Sequence, residues 1–198
     1  MTEQNSLQRI HPVIWLVVLG VIALAVVKAY QGSGSDPHSA GADATALAPQ
    51  KSPNDQRAYR YLELPNKMRV LLVSDPETDK SAAAVSVYRG SFDEPENRPG
   101  IAHFLEHMLF IGTGKYPEIS SFQNFITGNG GSSNAYTALD HTNYFFDIQN
   151  SGFAEGLDRF AHFFIDPLLD EAYVAREKNA VHSEYQMQIK DDGWRGYM

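Results

Sequence analysis

A change of composition near residue 57 limits which part of this chain can form a core. Residues 13–27 form an unbroken apolar run, and residues 31–56 are rich in Gly, Ser, Ala, Asp and Pro without apolar periodicity. Only the later region shows the alternating and helical patterns that a folded domain needs. We therefore expect a signal peptide or membrane anchor over residues 1–30, a flexible linker over 31–56 and one folded domain over 57–198.

The N-terminal apolar run has two possible interpretations. It is shorter than the roughly 20 apolar residues of a comfortable membrane span, and its length also suits the apolar region of a signal peptide. Trp15 and Tyr30 near its ends are typical of an anchor, whereas the sequence Ala-Leu-Ala at 23–25 is a weak candidate for a cleavage site. We favour an uncleaved anchor over residues 13–30. Because Arg9 precedes the run, both interpretations predict export, to the periplasm or the outer face of the inner membrane if the source is bacterial.

Composition excludes several classes of protein and site. The formal net charge is −8, and nucleic-acid-binding domains normally carry a basic patch, so we expect no nucleic-acid partner. The chain contains no cysteine, which excludes disulfides, thiolate metal ligands and cysteine nucleophiles. Any metal site must therefore use His, Asp or Glu.

The folded region contains both strand-like and helix-like patterns. Strand runs followed by helix runs predict an α+β domain, with a mostly antiparallel sheet packed against helices. The predicted strands cover residues 59–64, 68–75, 81–90, 132–139 and 142–149. The predicted helices cover residues 101–110, a segment from Pro117 to the glycines at 128–131, residues 153–165 and residues 170–191.

The helix predicted over residues 101–110 would have two chemically distinct faces. At 100° per residue, a predicted core face holds Ile101, Phe104, Leu105, Met108 and Leu109. The opposite face holds His103, Glu106, His107 and Phe110. Because residues four apart are neighbours on a helix, His103 and His107 can converge on one metal ion. Zn²⁺ accepts imidazole nitrogens in a tetrahedral shell.

A catalytic zinc site needs a third protein ligand and a position for water. Glu177 and Glu184 lie on one side of the predicted last helix, beside the apolar-leaning residues Val174, Val181, Tyr185 and Gln188. Carboxylates on an inward-facing side need a partner. An isolated histidine pair is nevertheless more often incidental than metal-binding, and helical glutamates are usually solvated. The pattern H-x-x-E-H is more specific, since it is an inverted zinc-peptidase signature.

Three segments carry a wider resemblance: GIAHFLEHMLFIGTGKYP, NGGSSNAYTALDHTNYFFDI and REKNAVHSEYQ. Together they resemble the pitrilysin/insulysin family of zinc metallopeptidases, and the likeness extends over residues 59–198. It implies that His103, His107 and Glu184 bind one Zn²⁺, that Glu106 is the general base and that Glu177 is a supporting catalytic acid. It also implies a set of substrate-binding residues, namely Phe110 and the edge-strand residues Ser133, Asn134, Ala135 and Tyr136.

The resemblance implies a zinc metalloendopeptidase that acts on peptides or small proteins. Family members typically combine several homologous domains, so we expect a C-terminally incomplete first domain. Such a chain would need the missing domains or a partner subunit, and would be weak or inactive alone. The alternative is a non-catalytic, membrane-tethered structural or adaptor subunit of the same fold. The intact set of His103, Glu106, His107 and Glu184 favours the peptidase.

Overall fold

The computed structural model describes residues 51–192. The predicted anchor and most of the predicted linker lie outside this range, and so do the last six residues of the predicted domain. None of the helices between residues 51 and 192 is both long enough and apolar enough to span a membrane. The chain divides into two compact units at residues 79 and 80, and each is described by itself.

The first unit contains the first two predicted strands, which form a hairpin. Strand β1 (Ala58–Glu63) pairs antiparallel with β2 (Arg69–Ser74), and the turn is closed by the Leu64 amide, which donates to the Met68 carbonyl at 2.9 Å. Just before β1, the Asp55 carboxylate accepts hydrogen bonds from the side chains of Arg57 and Tyr59 at 2.7–2.9 Å. These bonds, the one from Arg57 foremost, hold the pKa of Asp55 well below its usual range.

The second unit is built on a three-stranded antiparallel sheet. Its strands are β3 (Lys80–Val87), β4 (Ser132–Thr137) and β5 (Thr142–Gln149), in the spatial order β3-β5-β4. Alternate residues of the central strand β5 are buried, which is the pattern of a strand with one face on a core. Within the described part of the chain β4 pairs only with β5, so β4 is an edge strand.

Four helices accompany this sheet: α1 (Ile101–Leu109), α2 (Ser121–Gly128), α3 (Phe153–Ile165) and α4 (Glu171–Gln188). Helix α2 begins four residues later than Pro117, the predicted start, because a turn intervenes. In that turn the Thr113 hydroxyl accepts from the Tyr116 amide at 3.0 Å, and the Ser121 amide donates to the Glu118 carbonyl at 3.1 Å. Helix α4 begins where the Asp170 carboxylate accepts from the Ala172 amide at 2.9 Å.

The core lies between the inner face of β5 and helices α1, α2 and α3. Its buried residues are Leu109, Phe122, Ile126, Tyr144, Phe146, Ile148, Phe160 and Phe163. Burial of this many aromatic side chains in one cluster supplies most of the hydrophobic stabilisation of the unit. The predicted α+β class with an antiparallel sheet is confirmed.

The predicted faces of α1 need correction. Ile101 and Leu105 are 39% and 44% exposed, so neither belongs to the core. Phe110, assigned from the sequence to the polar face, packs against the core, with its ring centroid 5.0 Å from that of Phe163. The physical reason is that α4 and β4 both pack against α1, so the side with Glu106 is covered and part of the apolar arc is left open.

Candidate metal centre

Three donor groups converge where α1 packs against α4. The Nε2 atoms of His103 and His107 lie 3.2 Å apart, and Glu184 oxygens lie 3.3 Å from the first and 3.7 Å from the second. The three donors fall within 4.8 Å of one another. Zinc bonds of roughly 2.0–2.1 Å in a tetrahedral shell place ligand atoms about 3.3 Å apart, so this donor set fits Zn²⁺.

The three donors remain accessible from solvent. The exposed fractions of their side chains are 31% for His103, 20% for His107 and 39% for Glu184. Three protein ligands leave one position of a tetrahedral shell for water or substrate. An accessible set of three is the arrangement of a catalytic metal site, whereas structural zinc sites have four protein ligands.

The orientation of His107 is set by Glu177. Glu177 is 8% exposed, and its Oε2 atom lies 3.2 Å from Nδ1 of His107. Its other oxygen, Oε1, accepts from the Arg176 guanidinium at 2.6 Å. Since an ionised carboxylate only accepts, Nδ1 of His107 carries the proton, and the lone pair of Nε2 points towards the other donors. Such a partner fixes the tautomer and ring orientation of a metal-binding histidine.

Glu106 stands next to this group without belonging to it. Its side chain is buried, with 7% exposure, and its Oε2 atom accepts from the Thr137 hydroxyl at 2.5 Å. Burial, together with the negative charge of Glu106, raises the pKa of Tyr144 to about 12. A carboxylate beside the metal ligands, held by a neutral donor, has the placement of a proton acceptor.

The predicted substrate residues divide between the two faces of β4. Ser133 and Ala135 are half-buried, and the Ser133 hydroxyl donates to Oε1 of Gln123 at 2.7 Å. Asn134 and Tyr136 are exposed. Their place on an edge strand is compatible with strand addition by a peptide. The ring of Phe110 lies among core aromatics, so its part in a substrate pocket stays a prediction.

Two residues that contact the acidic side chains of the site were not predicted from the sequence. Arg176 precedes Glu177 in the chain, and a basic residue beside a buried acid was a local signal that could have identified it. Thr137 had no such signal, because it meets Glu106 only through the packing of β4 against α1.

The helix with the pattern H-x-x-E-H and the glutamate from a second helix together form one candidate metal centre on an α+β domain. The sequence profile of the insulinase family, peptidase family M16, matches residues 69–195. The chain therefore belongs to this family, whose members use zinc. The family resemblance inferred from the sequence is thus confirmed.

Similarity to individual proteins supports the same family membership. The chain is 52% identical over 145 residues to insulin-degrading enzyme of Mus musculus and 46% identical over 143 residues to the A-factor-processing enzyme of Saccharomyces cerevisiae. These alignments cover 73% and 72% of this chain but 14% of each relative. The crystal structure of pitrilysin matches with a TM-score of 0.69 at 42% identity, over 73% of this chain and 15% of pitrilysin.

Proposed function

We propose that this chain is the zinc-binding catalytic part of a metalloendopeptidase that hydrolyses peptides or small proteins. The observation that carries the proposal is the convergence of His103, His107 and Glu184 within 4.8 Å, on elements that also hold Glu106. Membership of a peptidase family supports the reaction class. The chain spans 14% of the length of the curated relatives described above, so their substrates are not transferred to it.

The proposed roles follow from charge and donor type. A zinc ion held by these three ligands would lower the pKa of a bound water and polarise the scissile carbonyl. Glu106 takes the proton from the attacking water and returns it to the leaving nitrogen. Glu177 holds His107 in the tautomer that leaves Nε2 free to bind.

We place the substrate backbone along β4. An edge strand presents unpaired amide and carbonyl groups, which an extended peptide can satisfy by adding a strand. The end of β4 reaches the site, since Thr137 contacts Glu106. A peptide aligned on Ser133, Asn134, Ala135 and Tyr136 would therefore run towards the proposed base. Phe110, whose ring packs on Phe163, would line the substrate pocket on the side that faces the core.

Hydrolysis of a quenched fluorescent peptide by the zinc-loaded chain tests this proposal. Glu106→Gln keeps the size of the side chain and removes its ability to accept a proton. We expect the variant to lose at least about 100-fold in rate, the usual contribution of a general base. Glu118→Gln is a matched control at a residue outside the site and should leave the rate unchanged. Equal rates for the wild type and Glu106→Gln would contradict the assigned role.

We further propose that the chain is exported and that residues 13–30 contact a membrane. The apolar run preceded by Arg9 supports this proposal. Fractionation of cells that express the chain tests it, and recovery entirely in the cytosolic fraction would contradict it. The non-catalytic alternative has no observation in its favour, because the donor set and Glu106 are all in place.

A further inference from the structure

We infer that Thr137 is a positioning residue for the proposed reaction: its hydroxyl holds Glu106 in the orientation that a general base needs. This inference rests on the proposed function and extends it to the edge strand. Strand β4, which would bind the substrate backbone, would also set the position of the base. The observation behind the inference is a single contact between β4 and α1.

The contact is a charge-assisted hydrogen bond in a buried place. The Thr137 hydroxyl lies 2.5 Å from Oε2 of Glu106, within the range of about 2.5–2.7 Å that is typical of a hydroxyl bonded to a carboxylate. Glu106 is 7% exposed, so water competes poorly for this oxygen. Because an ionised carboxylate has no proton, Thr137 must be the donor.

A neighbouring threonine leaves Thr137 free to make this bond. Thr142 is opposite Thr137 in the register of β4 and β5, and their hydroxyl oxygens are 3.4 Å apart. The Thr142 hydroxyl donates its one proton to the Arg89 carbonyl at 2.9 Å. The Thr142 hydroxyl therefore contacts the Thr137 oxygen only at the longer distance of 3.4 Å, and the 2.5 Å contact with Oε2 of Glu106 is the short bond of the Thr137 hydroxyl.

The hydrogen bond from Thr137 restricts rotation of the Glu106 side chain. Glu106 sits between His103 and His107 on α1, and glutamate has several rotatable bonds. An unrestrained carboxylate there could turn to bind the metal and occupy the position that the water needs. Engagement of Oε2 by Thr137 opposes this movement and leaves the second oxygen for proton transfer.

The test uses a probe that needs no turnover. Acetohydroxamate chelates zinc through two oxygens and donates its proton to a neighbouring base, so its affinity reports where that base is. We expect Thr137→Val, which keeps the shape and removes the hydroxyl, to weaken acetohydroxamate binding to the zinc-loaded 198-residue chain by about tenfold. Zinc affinity should change less than twofold. Thr137→Ser should restore binding, and Thr127→Val, at an exposed threonine of α2 whose hydroxyl donates to the Gln123 carbonyl, is the matched control without effect.

Repeating the measurement in a variant that lacks the Glu106 carboxylate distinguishes positioning of Glu106 from a general structural role of Thr137. In Glu106→Ala, which has no carboxylate to position, Thr137→Val should have no further effect on acetohydroxamate affinity. Wild-type affinity in Thr137→Val, or an equal loss in the Glu106→Ala background, would overturn the inference. The proposed function fails separately if the wild-type chain binds neither zinc nor acetohydroxamate.

Discussion

At the scale of single residues, His107 takes its orientation from a carboxylate. Glu177 places one oxygen 3.2 Å from Nδ1 of His107 and the other 2.6 Å from the guanidinium of Arg176. Glu177 is the one buried residue of α4, although it is charged. Burial of a charge is costly unless the charge is paired. The two partners of Glu177 explain why a charged residue is tolerated there, and they tie its position to the metal ligands.

Neutralising Glu177 should therefore weaken zinc binding. We expect Glu177→Gln to lower zinc affinity by about tenfold or more, because partners that orient a ligand typically contribute 10–100-fold. Competition with a chelator of known affinity measures the change. The control is Glu171→Gln, an exposed glutamate on the same helix that should not affect zinc affinity. Unchanged affinity in Glu177→Gln would show that the packing of α1 against α4 orients His107 unaided.

At the scale of elements, a polar cluster ties the segment between α1 and α2 to helix α3. Lys115 Nζ donates to Asp158 at 2.6 Å, and the Tyr116 hydroxyl donates to the same carboxylate. On the same helix, His162 Nδ1 lies 2.7 Å from Asp166 Oδ1. The cluster therefore attaches the segment that follows α1 to helix α3.

The bonds of Asp158 with Lys115 and Tyr116 should make the free energy of unfolding depend on pH. Burial raises the pKa of Asp158, but the hydrogen bonds from Lys115 and Tyr116 outweigh it and leave the pKa below its ordinary value. A lowered folded-state pKa means that the stabilisation is fully present above about pH 4 and is lost as the pH falls through the folded value. We expect Asp158→Asn to cost about 1–3 kcal/mol at pH 7 and much less at acid pH.

Urea denaturation at several pH values measures that difference. Glu155→Gln is the control on α3, because the Glu155 side chain is 52% exposed and an ion pair with so exposed a partner contributes little. A cost for Asp158→Asn that is the same at pH 7 and in acid would contradict the expected dependence.

Different parts of this structure were predictable to different degrees. The histidine pair and Glu106 lie within one short helix, so the helical period alone places them together. The pairing of Glu184 with that helix depends on how α4 packs. The residue pattern offered both Glu177 and Glu184 as candidates, and only the family resemblance chose Glu184 as the ligand. The errors at Ile101, Leu105 and Phe110 have the same origin, because burial on α1 is decided by neighbouring elements that its own sequence does not specify.

At the scale of the whole molecule, the three metal donors lie in a chain that matches only a small fraction of the length of its relatives. The chain covers 14% of insulin-degrading enzyme from Mus musculus and 15% of pitrilysin. The described sheet also has an open edge at β4. The three metal donors lie on α1 and α4, whereas the proposed peptide site is the six-residue edge strand β4.

We therefore expect the 198-residue chain to bind zinc but to hydrolyse peptides weakly. Its kcat/KM on a quenched peptide should fall well below the roughly 10⁴–10⁸ M⁻¹s⁻¹ of ordinary enzymes, because the proposed strand addition uses a single edge strand of six residues, β4, among the described residues. Steady-state kinetics with the purified chain measures this. A kcat/KM inside that range would show that residues 1–198 suffice for catalysis.

The most direct test of the central claim is zinc affinity in three forms of the chain, measured by chelator competition. The wild type should bind one Zn²⁺ per chain. Glu184→Gln should lose affinity by at least about 100-fold, because it replaces a charged ligand with a neutral amide. Glu106→Gln should bind zinc as the wild type does, since Glu106 is the proposed base and no ligand. Equal zinc affinity in Glu184→Gln and the wild type, or loss of zinc in Glu106→Gln, would contradict the account.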